Sequence, residues 1–576
     1  MKYTEILNSN KELGKELETS NYNINILSNS TISLAKDILE YYLRVEGINA
    51  NAKIGNYDNI VQDSANCGSS DAVIIFWDIF NITDDFYHKI NLQSKNEVDE
   101  FFDKILYEFE IVTKNLKATS LVLLNKFTSY PFSLFQIRES NLEYLVSKLN
   151  SFIEQNIPSN FKLIDIEKII SHNGVDNSFD MRYFYSSKSL YTISFFKSYS
   201  KFVRPFLVSA NGKSKKALIL DCDNTLWKGV LGEDGFDSIE MSLASKDGAI
   251  FHEIQSIILS LNKKGILLGI CSKNNESDVQ EVIDSHPDMQ LREKYITINK
   301  SNWNDKATNI IDISKELNIG LDSLVFLDDS PFEINLVRER LPEVHTLLRP
   351  DNLFDYPNML RKNLDLFYNL SQTKEDKNKI KMYKQQVQRE KLKNDSLDID
   401  SYLKSLCLEM KIYENDDKTI PRLSQMTQKT NQFNLTTKRY TEKDIETFMS
   451  SESSKVFSFS VSDKFGDSGL TGLCIVTSED NFSSCEIDTF LMSCRIIGRN
   501  LEYSFMKYLF DKLESEGTAC IRSQFIMSSK NQQVKNFYDN CSFELIGEDE
   551  TSKSYMLDIN SNNLSKISYI SIHSEN

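Results

Sequence analysis

The sequence predicts an α/β protein built from three domains. Its 576 residues exceed what one hydrophobic core can serve, since a domain takes about 150 residues. Short apolar runs alternate with amphipathic helical segments, which is the pattern of β-sheets covered by helices. We expect α/β domains at residues 1–210, 211–368 and 399–560, a charged, solvated linker helix at 369–398 and a frayed tail at 561–576.

The composition excludes several classes of protein. Lys and Arg total 66 against 83 Asp and Glu, a net charge of −17, whereas a nucleic-acid partner needs a basic footprint. Nine cysteines without a C-x-x-C pair indicate reduced thiols. The polar N-terminal stretch is unlike a signal peptide, and no apolar run reaches the roughly 20 residues of a membrane span. We therefore expect a cytoplasmic protein without a nucleic-acid or membrane partner.

The first domain opens with a strand, a turn and a helix. The apolar run Ile24–Leu27 is followed by Ser28 to Thr31 (SNST) and by an amphipathic segment, Ile32–Leu43. SGNH-type hydrolases carry a nucleophilic Ser at such a turn, but a Ser/Thr helix cap explains the same residues. The base of such an enzyme belongs to a D-x-x-H motif near the end of the domain, and Asp85-x-x-His88 comes too early. We predict an SGNH-like domain that does not hydrolyse a substrate.

The most informative stretch lies in the second domain. The apolar run Ala217–Leu220 ends in Asp221 and Asp223, and Thr225 follows. In open α/β sheets, chemistry collects at the carboxyl ends of strands. Two carboxylates there can hold Mg²⁺ against a phosphate, and one of them can attack phosphorus. This D-x-D-x-T spacing resembles the first motif of the haloacid dehalogenase (HAD) superfamily.

Three further elements follow in the order that such a site requires. The next apolar run ends at Ser272, whose hydroxyl can donate to a phosphoryl oxygen. Lys306 opens a predicted helix and supplies a cation. The run Leu324–Leu327 leads to Asp328 and Asp329, two carboxylates for a metal. Each element alone is also explained as a cap, a turn former or a solvated lysine, but their order and their place at strand ends favour the HAD interpretation.

The HAD resemblance implies a role for each carboxylate. The first aspartate of the motif is the nucleophile and the second is the general acid and base, which here would be Asp221 and Asp223. Mg²⁺ would take Asp221, the backbone carbonyl of Asp223, and Asp328 or Asp329. The short intervals between the motifs leave no room for the large cap of many HAD enzymes. We therefore expect an open site that suits a bulky substrate.

A closer resemblance covers nearly the whole chain. The segments DCDNTLWKGVLGEDG, ICSKNN, NWNDKATNI and FLDDSPFE resemble the FkbH-like proteins, a HAD branch found in polyketide and related pathways. LSNST resembles that family's SGNH-like domain, and NQFNLTTKRY, KFGDSGLTG, SCRIIGRNLE and KNQQVKNFYDNCSF resemble its acetyltransferase-like (GNAT) domain. Ser330 departs from the family pattern, which usually has Asn there.

This resemblance implies a specific reaction. A glyceryl unit would pass from 1,3-bisphosphoglycerate to the phosphopantetheine thiol of an acyl carrier protein, with loss of both phosphates. The chain contains no recognisable carrier module, so the carrier would act in trans. Attack by Asp221 on the acyl phosphate would waste its activation, so transfer needs a thiol at the carbonyl, while Lys306 and Ser272 stabilise the leaving phosphate.

The thiol that attacks is left open by the sequence. Cys222, between the two aspartates, is the leading candidate for an acyl-carrying residue, and Cys271 is the second. Strand alternation points both side chains away from the site. Small buried strand residues are the ordinary explanation of both.

The third domain carries a candidate coenzyme turn. Arg495-Ile-Ile-Gly498-Arg499-Asn500 approximates the R/Q-x-x-G-x-G/A turn with which GNAT proteins bind the coenzyme A pyrophosphate through backbone N–H groups. Asn500 replaces the last Gly or Ala, and an ordinary strand-to-helix turn is the alternative. Our hypothesis is that this turn binds the phosphopantetheine arm, with coenzyme A as a further candidate ligand.

Three functions stay open at this point. The first is the phosphatase and glyceryl transferase. The second is a plain Mg²⁺-dependent phosphatase that acts on another phosphorylated substrate. The third is a non-catalytic scaffold protein, which the complete set of HAD motifs disfavours.

Overall fold

The computed structural model describes most of the chain, namely residues 1–17, 21–68, 70–82, 89–132, 139–370, 374–396, 398–478, 482–528 and 530–575. The Asp85-x-x-His88 motif lies outside these ranges. Within them the fold is α/β, as predicted, with two parallel five-stranded sheets and one mixed nine-stranded sheet. No helix in the described ranges combines the length and the apolar character needed to span a bilayer.

The chain divides into two compact units. One comprises Met1–Asn211 together with Arg439–Asp444, and the other comprises Gly212–Lys438 together with Ile445–Asn576. The first sheet belongs to the first unit, and the other two sheets belong to the second.

The first sheet is parallel throughout and has the order β2-β1-β3-β4-β5. Its strands are β1 (Tyr22–Ser28), β2 (Ala50–Ile54), β3 (Ala72–Phe76), β4 (Val122–Asn125) and β5 (Phe161–Ile164). The helices of this part are α1 (Tyr3–Glu16), α2 (Ser33–Val45), α3 (Ile60–Ser64), α4 (Ile79–Ile82), α5 (Lys95–Asn115), α6 (Asn141–Asn156), α7 (Ile166–Asn173), α8 (Val175–Ser178), α9 (Met181–Ser187) and α10 (Ile193–Ala210). Every residue of β3 is buried, which explains its continuous apolar run.

The second sheet is also parallel and has the order β10-β9-β6-β7-β8. Its strands are β6 (Ala217–Leu220), β7 (Leu267–Ser272), β8 (Ile296–Ser301), β9 (Leu324–Asp328) and β10 (His345–Leu348). The helices that follow α10 are α11 (Leu231–Asp234), α12 (Lys246–Lys263), α13 (Glu276–Ser285), α14 (Lys306–Leu317), α15 (Pro331–Arg340), α16 (Tyr356–Lys362) and α17 (Lys374–Asp395).

The register of this sheet brings three strand ends together. Leu220, the last residue of the central strand β6, pairs with Ile270 of β7 and with Leu327 of β9. Because the strands are parallel, the residues after them meet at one edge. Alternate residues of β6 pack into two cores on opposite faces, Leu218 in one and Ile219 in the other. Apolar packing on both faces therefore fixes where the polar strand ends lie.

The third sheet is mixed and has the order β17-β18-β16-β15-β14-β13-β11-β19, with β12 paired to β15. Its strands are β11 (Leu408–Glu414), β12 (Phe433–Asn434), β13 (Ser454–Asp463), β14 (Gly466–Thr477), β15 (Ser484–Met492), β16 (Cys520–Ile526), β17 (Glu544–Glu548), β18 (Ser552–Asp558) and β19 (Ile570–Glu575). The helices of this part are α18 (Ile399–Ser405), α19 (Ile420–Lys429), α20 (Glu442–Ser450), α21 (Leu501–Ser515) and α22 (Phe537–Asn540).

Helix α17 is not the solvated linker that its charge predicts. Met382, Tyr383 and Val387 are buried, and so is Arg389. The Arg389 guanidinium donates to both carboxylate oxygens of Asp463, at 2.7 and 2.8 Å. The prediction was wrong because the apolar stripe is narrow and the buried charge finds its partner 74 residues away.

The expected frayed tail is also corrected by the structure. Strand β19 pairs in parallel with β11, from Leu408 opposite Ile570 to Tyr413 opposite Glu575. Backbone hydrogen bonds to a neighbouring strand order this segment, although its sequence is polar and carries few apolar side chains.

Candidate active site

The centre of the site is a buried lysine between two aspartates. Lys306, the first residue of α14, donates from Nζ to Asp221 Oδ1 at 2.8 Å and to Asp328 Oδ2 at 2.6 Å. The three side chains are at most 6% exposed. Burial lowers the pKa of Lys306, but the two carboxylates outweigh it and hold that pKa above its ordinary value. The lysine is thus a fixed cation. It lies between the ends of β6 and β9, where the sequence predicts a cation.

A third carboxylate completes a cluster fit for a metal ion. Among the described residues, Asp221, Asp328 and Asp329 each offer one ligand atom, and these atoms lie within 4.8 Å of one another. Burial, followed by the charge of Asp328, raises the pKa of Asp329. Three carboxylates against the ammonium of Lys306 leave an excess of negative charge. An excess of oxygen-borne negative charge is what Mg²⁺ requires, so the donor set fits this ion.

Asp223 stands apart from that cluster in the described structure. Its Oδ1 accepts from Trp227 Nε1 and from the backbone N–H of Leu231, both at 3.0 Å. Its Oδ2 accepts from Asn274 Nδ2 at 2.8 Å. The carboxylate is therefore held in place by three hydrogen bonds from the protein. The predicted metal contact of this residue runs through its backbone carbonyl and stays a prediction.

Ser272 ends β7 beside this carboxylate. It is 1% exposed, and its Oγ accepts from Asn274 Nδ2 at 3.1 Å. The structure thus brings together Asp221, Asp223, Ser272 and Lys306, the residues that the sequence singles out. Their catalytic roles stay predictions.

Three side chains of the site were missed by the sequence reasoning. Asn274 and Trp227 contact Asp223, as described above. Arg349, just after β10, places Nη2 at 3.8 Å from Asp329 Oδ2, and its buried Nε finds no partner among the described residues. Asn274 and Trp227 stand inside the motif segments ICSKNN and DCDNTLW, which is the one signal that could have pointed to them. No signal in the sequence points to Arg349.

Ser330 occupies the position where the FkbH-like pattern usually has Asn. Its backbone N–H donates to Asp328 Oδ1 at 2.8 Å, and its Oγ accepts from the Glu333 N–H at 3.4 Å, which caps α15. The contact to Asp328 is made by the main chain, so it does not depend on the side chain at position 330.

Cys222 and Cys271 lie in the two hydrophobic cores. Cys222 is fully buried in one core, and Cys271 is fully buried in the core on the opposite face of the sheet. Burial raises the pKa of both thiols well above the ordinary value. These surroundings are those of inert core cysteines and argue against the predicted acyl-carrying role of Cys222.

The polar side chains of the predicted coenzyme turn contact other parts of the protein. Arg495 Nη1 contacts Met382 Sδ of α17 at 2.8 Å, and Arg499 Nη2 donates to Gln386 Oε1 of the same helix at 2.8 Å. Gly498 has a φ of 83°, and Asn500 has a φ of 61° and donates from Nδ2 to Tyr569 Oη at 2.7 Å. Both guanidinium groups are thus engaged by α17, an arrangement that does not favour their binding a ligand.

Strands β15 and β16 separate after a short paired stretch, and another segment of the protein lies between them there. The two strands pair only from Ser484–Ile487 opposite Cys520–Ser523. Beyond that point the Leu435 N–H donates to the Phe490 carbonyl at 3.1 Å, and the Ile526 N–H donates to the Leu435 carbonyl at 2.8 Å. The segment that begins with β12 therefore joins the two strands where they separate.

The Ser-rich turn of the first domain forms a buried network. Ser30 Oγ donates to Asp78 Oδ2 at 3.1 Å and accepts from Asn81 Nδ2 at 2.9 Å. Ser30 is 4% exposed. The alternative of a Ser/Thr helix cap was wrong, since α2 has Ile32 at its cap position and no side-chain cap bond. That this domain does not hydrolyse a substrate stays a prediction.

Comparison with known proteins gives matches among solved structures. No family model and no curated protein matches the chain. A solved structure, the N-terminal part of the protein BF1531 from Bacteroides fragilis, contains a phosphatase domain complexed with Mg. It is similar over 65% of this chain and 100% of that chain, with 26% identity and a TM-score of 0.56.

Two acetyltransferases also match, at low TM-scores. The ribosomal-protein-S18-alanine N-acetyltransferase from Escherichia coli covers 26% of this chain and 94% of its own, with 13% identity and a TM-score of 0.21. An acetyltransferase of the GNAT family from Streptococcus pneumoniae covers 26% of this chain and 96% of its own, with 14% identity and a TM-score of 0.21. Such scores carry no argument about the third sheet.

Proposed function

We propose that the second sheet carries the active site of a Mg²⁺-dependent phosphatase of the HAD type. The observation that carries the proposal is the cluster of Asp221, Asp328 and Asp329, with the buried Lys306 bonded to the first two. The similarity to a phosphatase-domain protein complexed with Mg supports it. The order of the motifs along the chain supports it as well.

The residues suggest a two-step displacement. Asp221 Oδ attacks phosphorus, the bond from phosphorus to the leaving oxygen breaks, and Asp223 gives that oxygen a proton. A water then attacks the aspartyl phosphate and yields its proton to Asp223. The bond between phosphorus and Asp221 breaks, and inorganic phosphate leaves. Lys306 and Ser272 bind the phosphoryl oxygens, because an ammonium and a hydroxyl both donate to them.

Asp221, Asp328 and Asp329 would hold the Mg²⁺. When bound, the ion offsets the negative charge of the carboxylates and of the incoming phosphoryl group. The chain's own residues retain the remaining tasks of orienting the nucleophile and moving the proton.

The finer proposal concerns the substrate and the partner. We infer from the FkbH-like motifs that the substrate is 1,3-bisphosphoglycerate and that the glyceryl unit passes to an acyl carrier protein in trans, in polyketide or related biosynthesis. The carrier's phosphopantetheine thiolate attacks the acyl carbonyl, and the carbon–oxygen bond to phosphate breaks. The burial of Cys222 and Cys271 supports direct attack by the carrier's thiol over an acylated enzyme cysteine.

One experiment separates the candidate functions. The protein is incubated with Mg²⁺, 1,3-bisphosphoglycerate and a phosphopantetheinylated carrier, and the carrier is weighed by mass spectrometry. A gain equal to a dephosphorylated glyceryl group supports the transfer. Phosphate release without carrier acylation leaves the plain phosphatase, and absence of both Mg²⁺ binding and turnover leaves the scaffold. Asp221→Asn is the control and abolishes release of the ester phosphate, the displacement assigned to Asp221, in either enzymatic case.

A further inference from the structure

The carboxylate of Asp223 receives three hydrogen bonds that are distributed unevenly. A carboxylate offers about four lone-pair sites, two on each oxygen. Oδ1 accepts from Trp227 Nε1 and from the Leu231 N–H, both at 3.0 Å, which fills its two sites. Among the residues that the structure describes, Oδ2 accepts from Asn274 Nδ2 alone, at 2.8 Å. One lone pair, on Oδ2, is left for a proton.

The donors of this arrangement are firmly placed. Trp227 is fully buried and belongs to the core on one face of the second sheet. Asn274 is 5% exposed and follows β7. Its amide must turn the NH₂ group toward Asp223, because an ionised carboxylate only accepts. The core and the two strand ends therefore fix the carboxylate from both sides.

Asn274 also links the carboxylate to the phosphate-binding hydroxyl. The same Nδ2 that donates to Asp223 donates to Ser272 Oγ at 3.1 Å. Oδ2 of Asp223 therefore faces the side of the site on which Ser272 would hold a phosphoryl oxygen. The lone pair that is left open belongs to this same oxygen, Oδ2.

We propose that Asn274 and Trp227 are positioning residues that direct Oδ2 of Asp223 to the leaving oxygen of the phosphate ester. The inference rests on the proposed phosphatase function and adds to it which oxygen carries the proton. In the first step the O–H bond on Oδ2 breaks as the bond from phosphorus to the leaving oxygen breaks, and the proton goes to that oxygen. Trp227 and the Leu231 N–H keep Oδ1 out of this exchange.

The substitutions that test this inference have matched controls nearby. Asn274→Ala removes the donor to Oδ2, and Trp227→Phe removes one donor to Oδ1 while it keeps an aromatic ring in the core. Asn275→Ala and Trp303→Phe are the controls. Trp303 Nε1 donates to Asn275 Oδ1 at 3.1 Å, and Trp303 is exposed. The controls therefore change the same two residue types at positions that have no described hydrogen bond to Asp223.

The leaving group supplies a readout that a merely structural role would not move. A nitrophenyl leaving group departs as a stable anion and needs little protonation, whereas an alkoxide needs a proton from the acid. With Mg²⁺-loaded protein we expect Asn274→Ala and Trp227→Phe to lower kcat/KM, which reports the first step, about 10- to 100-fold for an alkyl phosphate and less than about threefold for p-nitrophenyl phosphate. Both controls leave the two rates unchanged.

A second readout needs no turnover. With its three tryptophans labelled at the indole nitrogen, the protein gives one N–H resonance for each, and Trp303→Phe identifies one of them. A charge-assisted hydrogen bond shifts the Trp227 proton downfield, and Asp223→Ala returns it upfield. If Trp227→Phe fails to fold, Asn274→Ala still tests the donor to Oδ2, and the same spectrum is recorded for it.

Each result decides a separate question. The positioning role is overturned if Asn274→Ala lowers both rates equally, or if the Trp227 resonance does not shift in Asp223→Ala. Neither result contradicts the proposed phosphatase function. A wild-type protein inert toward both phosphates overturns the proposed function, and with it the catalytic use of this arrangement. A selective loss on the alkyl phosphate together with the upfield shift establishes it.

Discussion

Lys306 Nζ lies 2.8 Å from Asp221 Oδ1, and both side chains are almost fully buried. Removing one partner of a buried ion pair leaves an uncompensated charge, which costs about 3–5 kcal/mol. We therefore expect Lys306→Ala to lower the free energy of unfolding by about 3 kcal/mol in the absence of Mg²⁺, measured by denaturant unfolding. Lys300→Ala, which breaks the more exposed pair with Glu316, is the control and costs less than about 1 kcal/mol. Equal losses in the two variants would contradict the central role of the buried pair.

Mg²⁺ should stabilise the folded protein through the aspartate cluster. A ligand that binds the folded state alone adds about 2.7 kcal/mol at a concentration of 100 times its Kd. We expect the melting temperature to rise with Mg²⁺ in the wild type and in Asp351→Asn, which alters an exposed aspartate outside the cluster. Asp328→Asn should abolish the rise. A persistent rise in that variant would place the ion elsewhere.

The first unit should become less stable as pH rises from about 4 to 6. Burial raises the pKa of Asp78 to about 6 from its ordinary 3.8. Between these values the folded state binds more protons than the unfolded state, so stability falls with rising pH and the loss is complete above the folded pKa. Asp78→Asn, which keeps an acceptor oxygen for the Phe80 N–H, removes this contribution. Urea unfolding across this pH range measures it, and an unchanged slope in the variant would refute it.

Alkylation of the native protein should spare the cysteines of the second sheet. Cys407 is exposed, whereas Cys222 and Cys271 are buried. A thiol with a raised pKa and no access to reagent reacts slowly. We expect iodoacetamide to label Cys407 with phosphate release unimpaired, as read by peptide mass spectrometry. Inactivation that tracks label on Cys222 would restore this thiol to the chemistry.

Asp463 should be among the most sensitive positions of the second unit. It receives Arg389 at 2.7 Å and Arg499 at 3.4 Å, and it is itself 1% exposed. Asp463→Asn leaves two buried guanidinium groups without a counter-charge, and we expect a loss of about 3–5 kcal/mol in the free energy of unfolding. Asp511→Asn, which breaks an exposed pair with Lys507, is the control at less than about 1 kcal/mol. Comparable losses would mean that the buried network contributes little.

The sequence predicts those features that arise from local patterns. The α/β class follows from alternating apolar runs and amphipathic segments. Asp221, Ser272 and Asp328 could be placed at one edge because parallel strands end together, and Lys306 because it opens a helix beside them. These are consequences of periodicity and topology, which the order of residues records directly.

The features that the sequence leaves open depend on contacts between distant residues. Arg389 is charged and looks solvated until Asp463 is brought to it by the fold. The occupation of Arg495 and Arg499 by α17 has the same origin. Asn274 and Trp227 look like ordinary motif neighbours, because a hydrogen bond to Asp223 depends on rotamers that packing selects.

Strand β19 has a consequence for how the protein behaves in concentrated solution. Without it, β11 would present an unpaired edge of backbone N–H and C=O groups, a template on which strands of other molecules can pair and aggregate. The opposite border of this sheet, β17, is short and carries Glu544 and Glu548, whose charges discourage such pairing. On one side the edge is moved to β19, a six-residue strand of mostly polar residues, and on the other side the charges of β17 repel a further strand. We expect loss of β19 to cause aggregation and a low yield of protein before any change in catalysis.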